Sequence, residues 1–287
     1  MAKKPQSEQK QIETTGHSWD GIEELNTPLP SWWKWTFYAT IVWGVIYTIA
    51  YPAWPMIDRA TAGVLGYSTR AELAENIAAH EAKNANLATA LAGTDLKVLS
   101  SQPELQHYAA ARGAAVFRTN CSQCHGAGAA GAEGYPNLLD DAWLWGGDIE
   151  NIMITIRHGV RNETDEDARW SEMPAFSDLL EAEEIEAVVG YVLSLSGPAP
   201  EDADIAAGAQ LFADNCAACH GDTGLGDEEV GAPNIADAIW LYGGDAESVT
   251  HSVESARFGV MPGWGTRLSD ADINAVSAYV HGLGGGE

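Results

Sequence analysis

A five-residue pattern, Cys-x-x-Cys-His, occurs twice in this sequence and constrains its fold more than any other feature. The copies are Cys121-Ser122-Gln123-Cys124-His125 and Cys216-Ala217-Ala218-Cys219-His220, which together contain all four cysteines. In a c-type haem site, two thiols three positions apart on a helical turn bind the vinyl groups, and the adjoining His ligates the iron. A zinc site, a thioredoxin-like redox pair and disulfides are the alternatives that the pattern leaves open.

The sequences that surround the two motifs repeat each other with equal spacing. The matching elements are Gly113 and Phe117 with Gly208 and Phe212, Pro136-Asn137-Leu138 with Pro233-Asn234-Ile235, Trp143-Leu144-Trp145-Gly146-Gly147-Asp148 with Trp240-Leu241-Tyr242-Gly243-Gly244-Asp245, and Met173-Pro174 with Met261-Pro262. The duplication favours haem over the alternatives and predicts two domains of one fold, each with its own haem c. We expect the opening glycine of each copy to let its first helix approach its last helix, which carries Tyr191 or Tyr279.

The two copies differ by an insertion and are joined by a proline-rich linker. Arg161 to Glu172 separate Val160 from Met173, whereas Met261 follows Val260 directly, and the inserted residues are polar enough to predict a surface loop. The linker is Gly197-Pro198-Ala199-Pro200, where two prolines prevent a helix from continuing. These features predict one domain over residues 108–199 and a second over residues 200–287.

The iron ligands follow from the motifs and from the repeat. His125 and His220 are the predicted proximal ligands. For the sixth position we predict Met173 at the first haem and Met261 at the second, because a Met-Pro pair occupies the same place in both copies. A thioether is a soft ligand that raises the reduction potential, as suits an electron carrier.

Other histidines and two prolines have weaker assignments. His158 is the rival sixth ligand at the first haem, and His251 is a weaker rival at the second. The carbonyl groups of Pro136 and Pro233 are expected to orient the proximal histidines through their second ring nitrogens. The remaining histidines of the central region are predicted to lie on the surface; they are His80 and His107.

The composition excludes some functions and permits others. The chain has 287 residues, enough for two domains of about 100 residues plus a tail. With 41 acidic and 15 basic residues, its formal net charge is −26. Such a field repels nucleic acid and anionic surfaces and steers basic partners towards the protein, although acidity for solubility alone is the alternative.

An uncharged, apolar run extends from Trp35 to Ile57. About 20 apolar residues cross a bilayer, so the run predicts a transmembrane helix within residues 31–57. Aromatic residues at its two ends fit the belts at membrane interfaces; they are Trp32, Trp33, Trp35, Tyr51 and Trp54. A buried soluble helix is the alternative, and a cleaved signal peptide is disfavoured because the run starts late and is too long.

The regions on either side of this run have different predicted roles. Residues 1–30 are polar, carry Lys3, Lys4 and Lys10, and are predicted to be an exposed cytoplasmic tail. Haem is attached to thiols outside the bacterial cytoplasmic membrane, so both motifs are expected in the periplasm. Residues 58–107 are then a periplasmic linker that contains a helix from Thr69 to Leu91, opened by a capping box at Thr69-x-x-Glu72.

The sequence resembles a known family. The two haem segments resemble class I cytochromes c, and the stretch from His17 to Trp33 resembles the entry to the membrane of the dihaem subunit (FixP/CcoP type) of cbb3-type cytochrome c oxidase. The resemblance covers nearly the whole chain. It implies a mainly α fold, with one N-terminal transmembrane helix followed by two tandem class I cytochrome c domains.

The resemblance also implies partners and a location. A donor cytochrome c would pass electrons to this chain, and they would continue through a monohaem cytochrome c subunit to the catalytic haem-copper subunit of a proton-pumping oxidase in the bacterial inner membrane. The residues show no catalytic site in this chain, because both irons have six predicted ligands. A free-standing dihaem carrier, the cytochrome subunit of a periplasmic dehydrogenase and a dihaem peroxidase are the alternative functions.

Overall fold

The structure, a computed structural model, describes residues 13–286, so Lys3, Lys4 and Lys10 of the predicted tail lie outside the described residues. The chain forms two compact units that divide between Ala82 and Lys83. Apart from one short hairpin the secondary structure is helical, which confirms the predicted fold class as mainly α.

The N-terminal unit begins with a β-hairpin that the sequence did not predict. Strand β1 (Thr14–Trp19) pairs antiparallel with β2 (Ile22–Leu25). The turn between them is Asp20-Gly21, where both residues have positive φ, 52° and 82°. An Asp-Gly turn of this kind matches the twist of two hydrogen-bonded strands, and this explains why a polar segment is ordered here.

Helix α1 (Ser31–Ala50) follows the hairpin and buries none of its residues. Its aromatic side chains stack along the helix, as Trp43 does on Tyr47 at 5.4 Å between ring centroids. The helix ends before Pro52, which disfavours helical geometry in the preceding residue, and is therefore shorter than the predicted 31–57. In the range 13–286, no helix combines the length and the apolar character needed to cross a membrane.

Helix α2 (Thr69–Ala92) corresponds closely to the predicted helix, but its cap differs. The hydroxyl of Ser68, not that of Thr69, accepts a hydrogen bond from the Ala71 N–H at 3.3 Å. The predicted partner Glu72 instead accepts a hydrogen bond from the hydroxyl of Tyr67 at 2.5 Å. The cap therefore lies one residue earlier than the capping-box pattern indicated.

The region from residue 83 onwards contains two groups of helices, which we call lobes. The first lobe consists of α3 (Pro103–Asn120), α4 (Ser122–His125), α5 (Ile149–His158) and the C-terminal helix α10 (Asp270–His281). The second consists of α6 (Ala182–Ser196), α7 (Ile205–Asn215), α8 (Ala217–His220) and α9 (Ala246–Ser255). The 3₁₀ helix Leu96–Ser101 joins α2 to the first lobe, and the 3₁₀ helix Phe176–Asp178 precedes α6.

The end of α2 is fixed to the first lobe. Leu91 is completely buried and shares a cluster with Leu96, Leu99, Leu105, Ala109 and Ala275. The Asn274 side-chain amide donates a hydrogen bond to the Leu91 carbonyl at 2.9 Å. The C-terminal turn of the predicted linker helix is therefore part of a packed core.

Glycine at two helix crossings shows how the lobes are built. A Cβ on Gly113 of α3 would lie 2.1 Å from the Ala275 carbonyl oxygen and 2.6 Å from the Tyr279 Cβ, both on α10. A Cβ on Gly208 of α7 would lie 2.1 Å from the Ala187 carbonyl oxygen of α6. At both places only glycine permits so close an approach of the two backbones.

This packing contradicts the prediction that each repeat closes on its own last helix. The helix that precedes the first motif packs on the last helix of the second repeat, and the helix that precedes the second motif packs on the last helix of the first repeat. Residues 108–199 and 200–287 are thus repeats in sequence whose last helices are exchanged in space. Both helix crossings are compatible with this exchange, because the two repeats carry the same residue types where the helices touch: glycine on one helix, alanine and tyrosine on the other.

A partly buried ion pair also joins α3 to α10. Arg112 Nε donates a hydrogen bond to Asp272 Oδ1 at 2.6 Å. Burial acts to raise the pKa of Asp272, but hydrogen bonds from Arg112 and Ser269 outweigh it and leave this pKa below its usual value. A carboxyl with a depressed folded-state pKa stabilises the fold above its unfolded pKa of about 3.9, and this contribution disappears as the pH falls through the folded value.

We therefore expect Asp272→Asn to lower the free energy of unfolding at pH 7 by about 1.5–3 kcal/mol, the usual range for a hydrogen bond to a charged group. The loss should shrink as the pH falls from about 3.9 towards the lower folded-state pKa of Asp272, because the stabilisation by the wild-type carboxylate disappears over that range. Urea titration at pH 7 and at pH 3 measures both values. Asp270→Asn is the matched control, because Asp270 also pairs with an arginine but its side chain is 63% exposed. Equal losses in the two variants would contradict the prediction.

Candidate functional site: two Cys-x-x-Cys-His turns

Both motifs adopt the predicted helical turn. In the first, the Cys121 N–H donates to the Phe117 carbonyl at 2.9 Å, and the His125 N–H donates to the Cys121 carbonyl at 3.0 Å. In the second, the Cys216 and His220 N–H groups donate in the same way, at 2.8 and 3.0 Å, to Phe212 and Cys216. Each turn continues α3 or α7, so the helix that crosses another at glycine also fixes the direction of the cysteine and histidine side chains.

A proline carbonyl orients each motif histidine. His125 Nδ1 lies 3.0 Å from the Pro136 carbonyl oxygen, and His220 Nδ1 lies 3.0 Å from that of Pro233. A carbonyl can only accept, so Nδ1 carries the proton in both rings and Nε2 retains its lone pair for a metal. Burial lowers the pKa of His220, which favours the neutral imidazole that ligation requires. The expected contacts of Pro136 and Pro233 are confirmed.

The environment of the thiols does not favour the thioredoxin-like or zinc alternatives. Burial raises the pKa of Cys121 and that of Cys216 to about 11, whereas a redox-active thiol needs a lowered pKa. No disulfide joins any of the four cysteines, all of which lie in the described part of the chain. Within residues 13–286, the one compact group of metal-ligating side chains is His158, Asp165 and Asp167, whose ligand atoms all lie within 4.8 Å of one another.

The first motif adjoins an apolar cluster formed by α3, α5 and α10. Cys121 and Met261 are both partly buried against this cluster. Its buried members are Val116, Phe117, Ala129, Ile152, Ile156, Ile273, Val276 and Val280. Residues 160 and 261 pair as an antiparallel bridge, since the N–H of each donates to the carbonyl of the other at 3.0 Å. The bridge and the cluster hold Met261 in the lobe that carries His125.

The second motif adjoins the equivalent cluster of the second lobe, formed by α6, α7 and α9. Cys216 is partly buried against it, and the rings of Tyr191 and Phe212 pack at 5.3 Å. The segment after Met173 belongs to this side, because Phe176 is buried and the Ser177 hydroxyl donates to the Glu254 carbonyl of α9 at 2.9 Å.

The predicted pairing of methionines with motifs is therefore wrong. Met261, expected at the second haem, lies in the lobe of His125. Met173, expected at the first haem, leads into the lobe of His220. The reason is the exchange of last helices, because each Met-Pro segment precedes its own last helix in the chain and follows it to the opposite lobe.

The rival histidines have other partners. His158 Nδ1 lies 3.1 Å from both carboxylate oxygens of Asp165, within the inserted segment. His251 Nδ1 lies 3.3 Å from the Ser255 hydroxyl on the same helix. His80 and His107 are exposed, as predicted. The Asp165 carboxylate of the inserted segment thus holds the His158 ring through Nδ1.

Two side chains of the first repeat have a feature that the sequence pattern does not predict. The Trp145 Nε1 and Arg169 Nε atoms are buried without a hydrogen-bond partner within the described part of the chain. The sequence pattern marks Trp145 only as a repeated aromatic residue, and it places Arg169 in a polar insertion that is predicted to be a surface loop. The sequence offers one indication of their role: the insertion supplies an arginine that has no counterpart in the second repeat.

Two comparisons with known families agree with this site. Residues 11–58 match the family described as the N-terminal domain of cytochrome oxidase-cbb3, FixP. Residues 108–192 and 203–280 both match the family described as cytochrome c oxidase, cbb3-type, subunit III. Each of the second pair of matches contains one Cys-x-x-Cys-His turn, and the chain is a c-type cytochrome with two covalently bound haem c groups.

Curated relatives resemble the chain over nearly its full length. A cbb3-type cytochrome c oxidase subunit CcoP from Cereibacter sphaeroides is 60% identical over 96% of this chain and 95% of its own. A subunit CcoP from Rhodobacter capsulatus is 53% identical over 100% of both chains. A subunit FixP from Sinorhizobium medicae is 50% identical over 96% of both. With a family match over more than half of its residues and relatives of this similarity, the chain belongs to the subunit III family of cbb3-type cytochrome c oxidases.

Proposed function

We propose that this chain is the dihaem electron-transfer subunit of a cbb3-type oxidase, which accepts electrons from a donor cytochrome c and passes them on within the complex. The observation that carries the proposal is the pair of Cys-x-x-Cys-His turns, each with its imidazole oriented by a proline carbonyl. The iron of a haem c alternates between the ferric and ferrous states, which is the chemistry that an electron carrier needs.

The ligands of the two irons follow from the positions of the side chains. His125 and Met261 complete the first site, and His220 and Met173 complete the second. Each histidine offers Nε2 while Nδ1–H donates to proline, and each methionine offers a soft sulfur that favours the ferrous state. These residues would give both irons six ligands and leave no position for oxygen, so we assign oxygen reduction to the catalytic haem-copper subunit.

Charge supports the choice of donor. The formal net charge of −26 attracts a basic donor cytochrome c and repels nucleic acid. A monohaem cytochrome c subunit is the proposed acceptor between this chain and the catalytic subunit. Association with the donor should therefore slow as ionic strength rises, because screening weakens electrostatic steering.

The proposed location is the bacterial inner membrane, with residues 31–57 as a single span, the N-terminus in the cytoplasm and both lobes in the periplasm. The match of residues 11–58 to the N-terminal family supports an anchoring role. The side chains of α1 support it too, because large apolar residues are exposed all round this helix, such as Trp35, Trp43 and Ile46.

Purification of the tagged chain from membranes in mild detergent tests both the complex and the anchor. We expect haem b and copper to co-purify with the full chain. Deletion of residues 31–57, with a cleavable periplasmic export signal in their place, should release a soluble protein that keeps both haems and loses haem b and copper. Recovery of a lone dihaem chain from wild-type membranes would support a free-standing carrier, and hydrogen-peroxide turnover by that chain would support a peroxidase; either result contradicts the oxidase assignment.

A further inference from the structure

Two buried hydrogen-bond donors of the first repeat have no acceptor in the described part of the chain. They are Trp145 Nε1 and Arg169 Nε, the only buried side-chain atoms of this kind among residues 13–286. Trp145 is 8% exposed, so water has little access to its ring. Native proteins rarely leave buried donors unpaired, and these two therefore point to an acceptor that does not belong to the polypeptide.

The two side chains form one unit. The Arg169 guanidinium lies 5.3 Å from the centroid of the Trp145 ring. Its Nη2 donates to the side-chain oxygen of Asn151, and the Arg169 N–H donates to the Gly159 carbonyl at 3.2 Å. Arg169 is thus held against α5 by Asn151 and against the residue that follows α5, Gly159. Its Nε–H group is the donor that remains without an acceptor among the described residues.

The charge of Arg169 has no close counter-ion in the described part of the chain. Among the described residues, no carboxylate oxygen lies within 4 Å of a guanidinium nitrogen of Arg169. Arg112 and Arg157, in contrast, each have such a carboxylate partner. Burial lowers the pKa of Arg169, and only the more distant Asp148 acts in the opposite direction. A partly desolvated guanidinium with a buried Nε favours an anion, and its planar array of N–H donors matches a carboxylate best.

The position of the pair indicates which carboxylate. Trp145 lies in the segment between the first motif and α5, and Ile152 and Ile156 of α5 line the cluster against which Cys121 packs. The Trp145 ring also meets Gly231, where a Cβ would lie 2.2 Å from Cζ2. The donors therefore lie at the edge of the first lobe, where it faces the segment that follows the second motif.

We propose that Trp145 Nε1–H and Arg169 Nε–H together bind a propionate carboxylate of the haem attached through Cys121 and Cys124. The proposal rests on the proposed function, since it needs haem at that motif. Haem carries two propionates, and one of them supplies the anion that the guanidinium lacks. Reduction adds an electron to the haem, so a nearby positive charge favours the ferrous state.

The second lobe has no equivalent pair. Tyr242 stands at the position of Trp145, and the Arg257 guanidinium lies 4.9 Å from its ring centroid. However, Arg257 Nε donates to the Ser252 hydroxyl at 3.0 Å, and its Nη2 donates to the Ser248 carbonyl at 2.5 Å. Arg169 comes from the insertion that only the first repeat contains, so the propionate contact distinguishes the two haems.

Three variants of the full chain test the proposal: Arg169→Gln, Arg169→Lys and Trp145→Phe. Arg169→Gln should shift the one-electron equilibrium of one haem at least tenfold towards the ferric state, which is about 59 mV. Arg169→Lys keeps the charge and should stay within about threefold of wild type. Trp145→Phe loses only the N–H and should shift the same haem in the same direction by less. Redox titration measures the potentials, and redox-difference infrared spectra should show altered propionate carboxylate bands in Trp145→Phe and Arg169→Gln.

Arg257→Gln is the matched control, because it also removes a stacked arginine, but one whose donors have acceptors in the protein. It should leave the potential and the propionate bands of the first haem unchanged. Unchanged potentials and bands in both Arg169→Gln and Trp145→Phe would overturn the proposal, and so would a shift confined to the second haem. If Arg169→Gln fails to attach haem, Trp145→Phe alone decides. Pyridine haemochrome assay separates this outcome from failure of the proposed function, which would leave the wild-type chain without two covalent haems.

Discussion

Replacement of Met261 by Leu is expected to lower the reduction potential of the haem attached through Cys121 and Cys124, although Met261 follows the second motif in the chain. Met261 packs in the cluster of the first motif and is paired with Val160 through two backbone hydrogen bonds. Loss of the thioether removes the ligand that favours ferrous iron. We expect a shift of at least about 120 mV, a hundredfold change in the one-electron equilibrium at 59 mV per tenfold.

The assignment to one haem is tested in chains that carry a single haem. In a Cys216→Ser, Cys219→Ser chain, which retains the first motif, Met261→Leu should abolish the weak long-wavelength absorption of methionine-ligated ferric haem. Met173→Leu should leave that absorption intact. The opposite pattern would show that each repeat supplies its own methionine. Met153→Leu is the control, because Met153 packs against the same clusters and Leu conserves its volume.

Replacement of Gly113 by Ala should destabilise the whole first lobe. The added Cβ would lie 2.1 Å from the Ala275 carbonyl oxygen, and a backbone atom cannot move aside as a flexible side chain can. Overpacking usually costs about 1–3 kcal/mol, and we expect a value at the upper end or beyond it because α3 and α10 must separate. The separation should also draw the segment that carries Met261 away from the first haem.

Urea unfolding followed by far-ultraviolet circular dichroism measures the loss of stability, and the methionine absorption of the first haem reports the displaced ligand. Gly128→Ala is the matched control, since a Cβ there meets no atom within 4 Å. Gly208→Ala should have the corresponding effect on the second lobe, where the added Cβ would lie 2.1 Å from the Ala187 carbonyl oxygen. A Gly113→Ala chain as stable as the Gly128→Ala chain would contradict the observed crossing.

The local features of the site were predictable because they depend on residues close together in the chain. The motif turns, the helix from Thr69 and the carbonyl contacts of Pro136 and Pro233 all involve short separations. The equal spacing of the repeats also identified the residues at the helix crossings. A short pattern with one chemical requirement therefore gives both the secondary structure and the orientation of the histidines.

The exchange of last helices was not predictable from the repeat, because the two repeats are so similar at their helix contacts. Gly113 can meet Tyr191 or Tyr279 equally well, because both tyrosines lie on helices with the same contact residues. Sequence similarity between the repeats therefore permits two pairings. Long-range contacts accompany the exchanged arrangement, such as the hydrogen bond between Asn274 and Leu91 and the ion pair of Arg112 with Asp272.

The prediction of a surface loop for the insertion was incomplete for a different reason. Its polar composition predicted a solvated loop, yet Arg161 Nε donates to the Gly259 carbonyl at 2.6 Å and the Arg169 N–H donates to Gly159. Arginine has an apolar stem and a flat head that stacks on aromatic rings, so composition alone does not exclude it from an interior. The hairpin at Thr14–Leu25 was missed as well, because every residue in it is exposed and no apolar alternation marks its strands.

The crossing of α3 with α10 also sets an order of assembly during synthesis. Chains are made from the N-terminus, and by Ser255 every helix of the second lobe has been produced. The first lobe still lacks Met261 and α10 at that moment, so the motif that is synthesised first is enclosed last. A chain truncated after Ser255 should therefore complete its second lobe and keep its first motif exposed, without Met261 or α10.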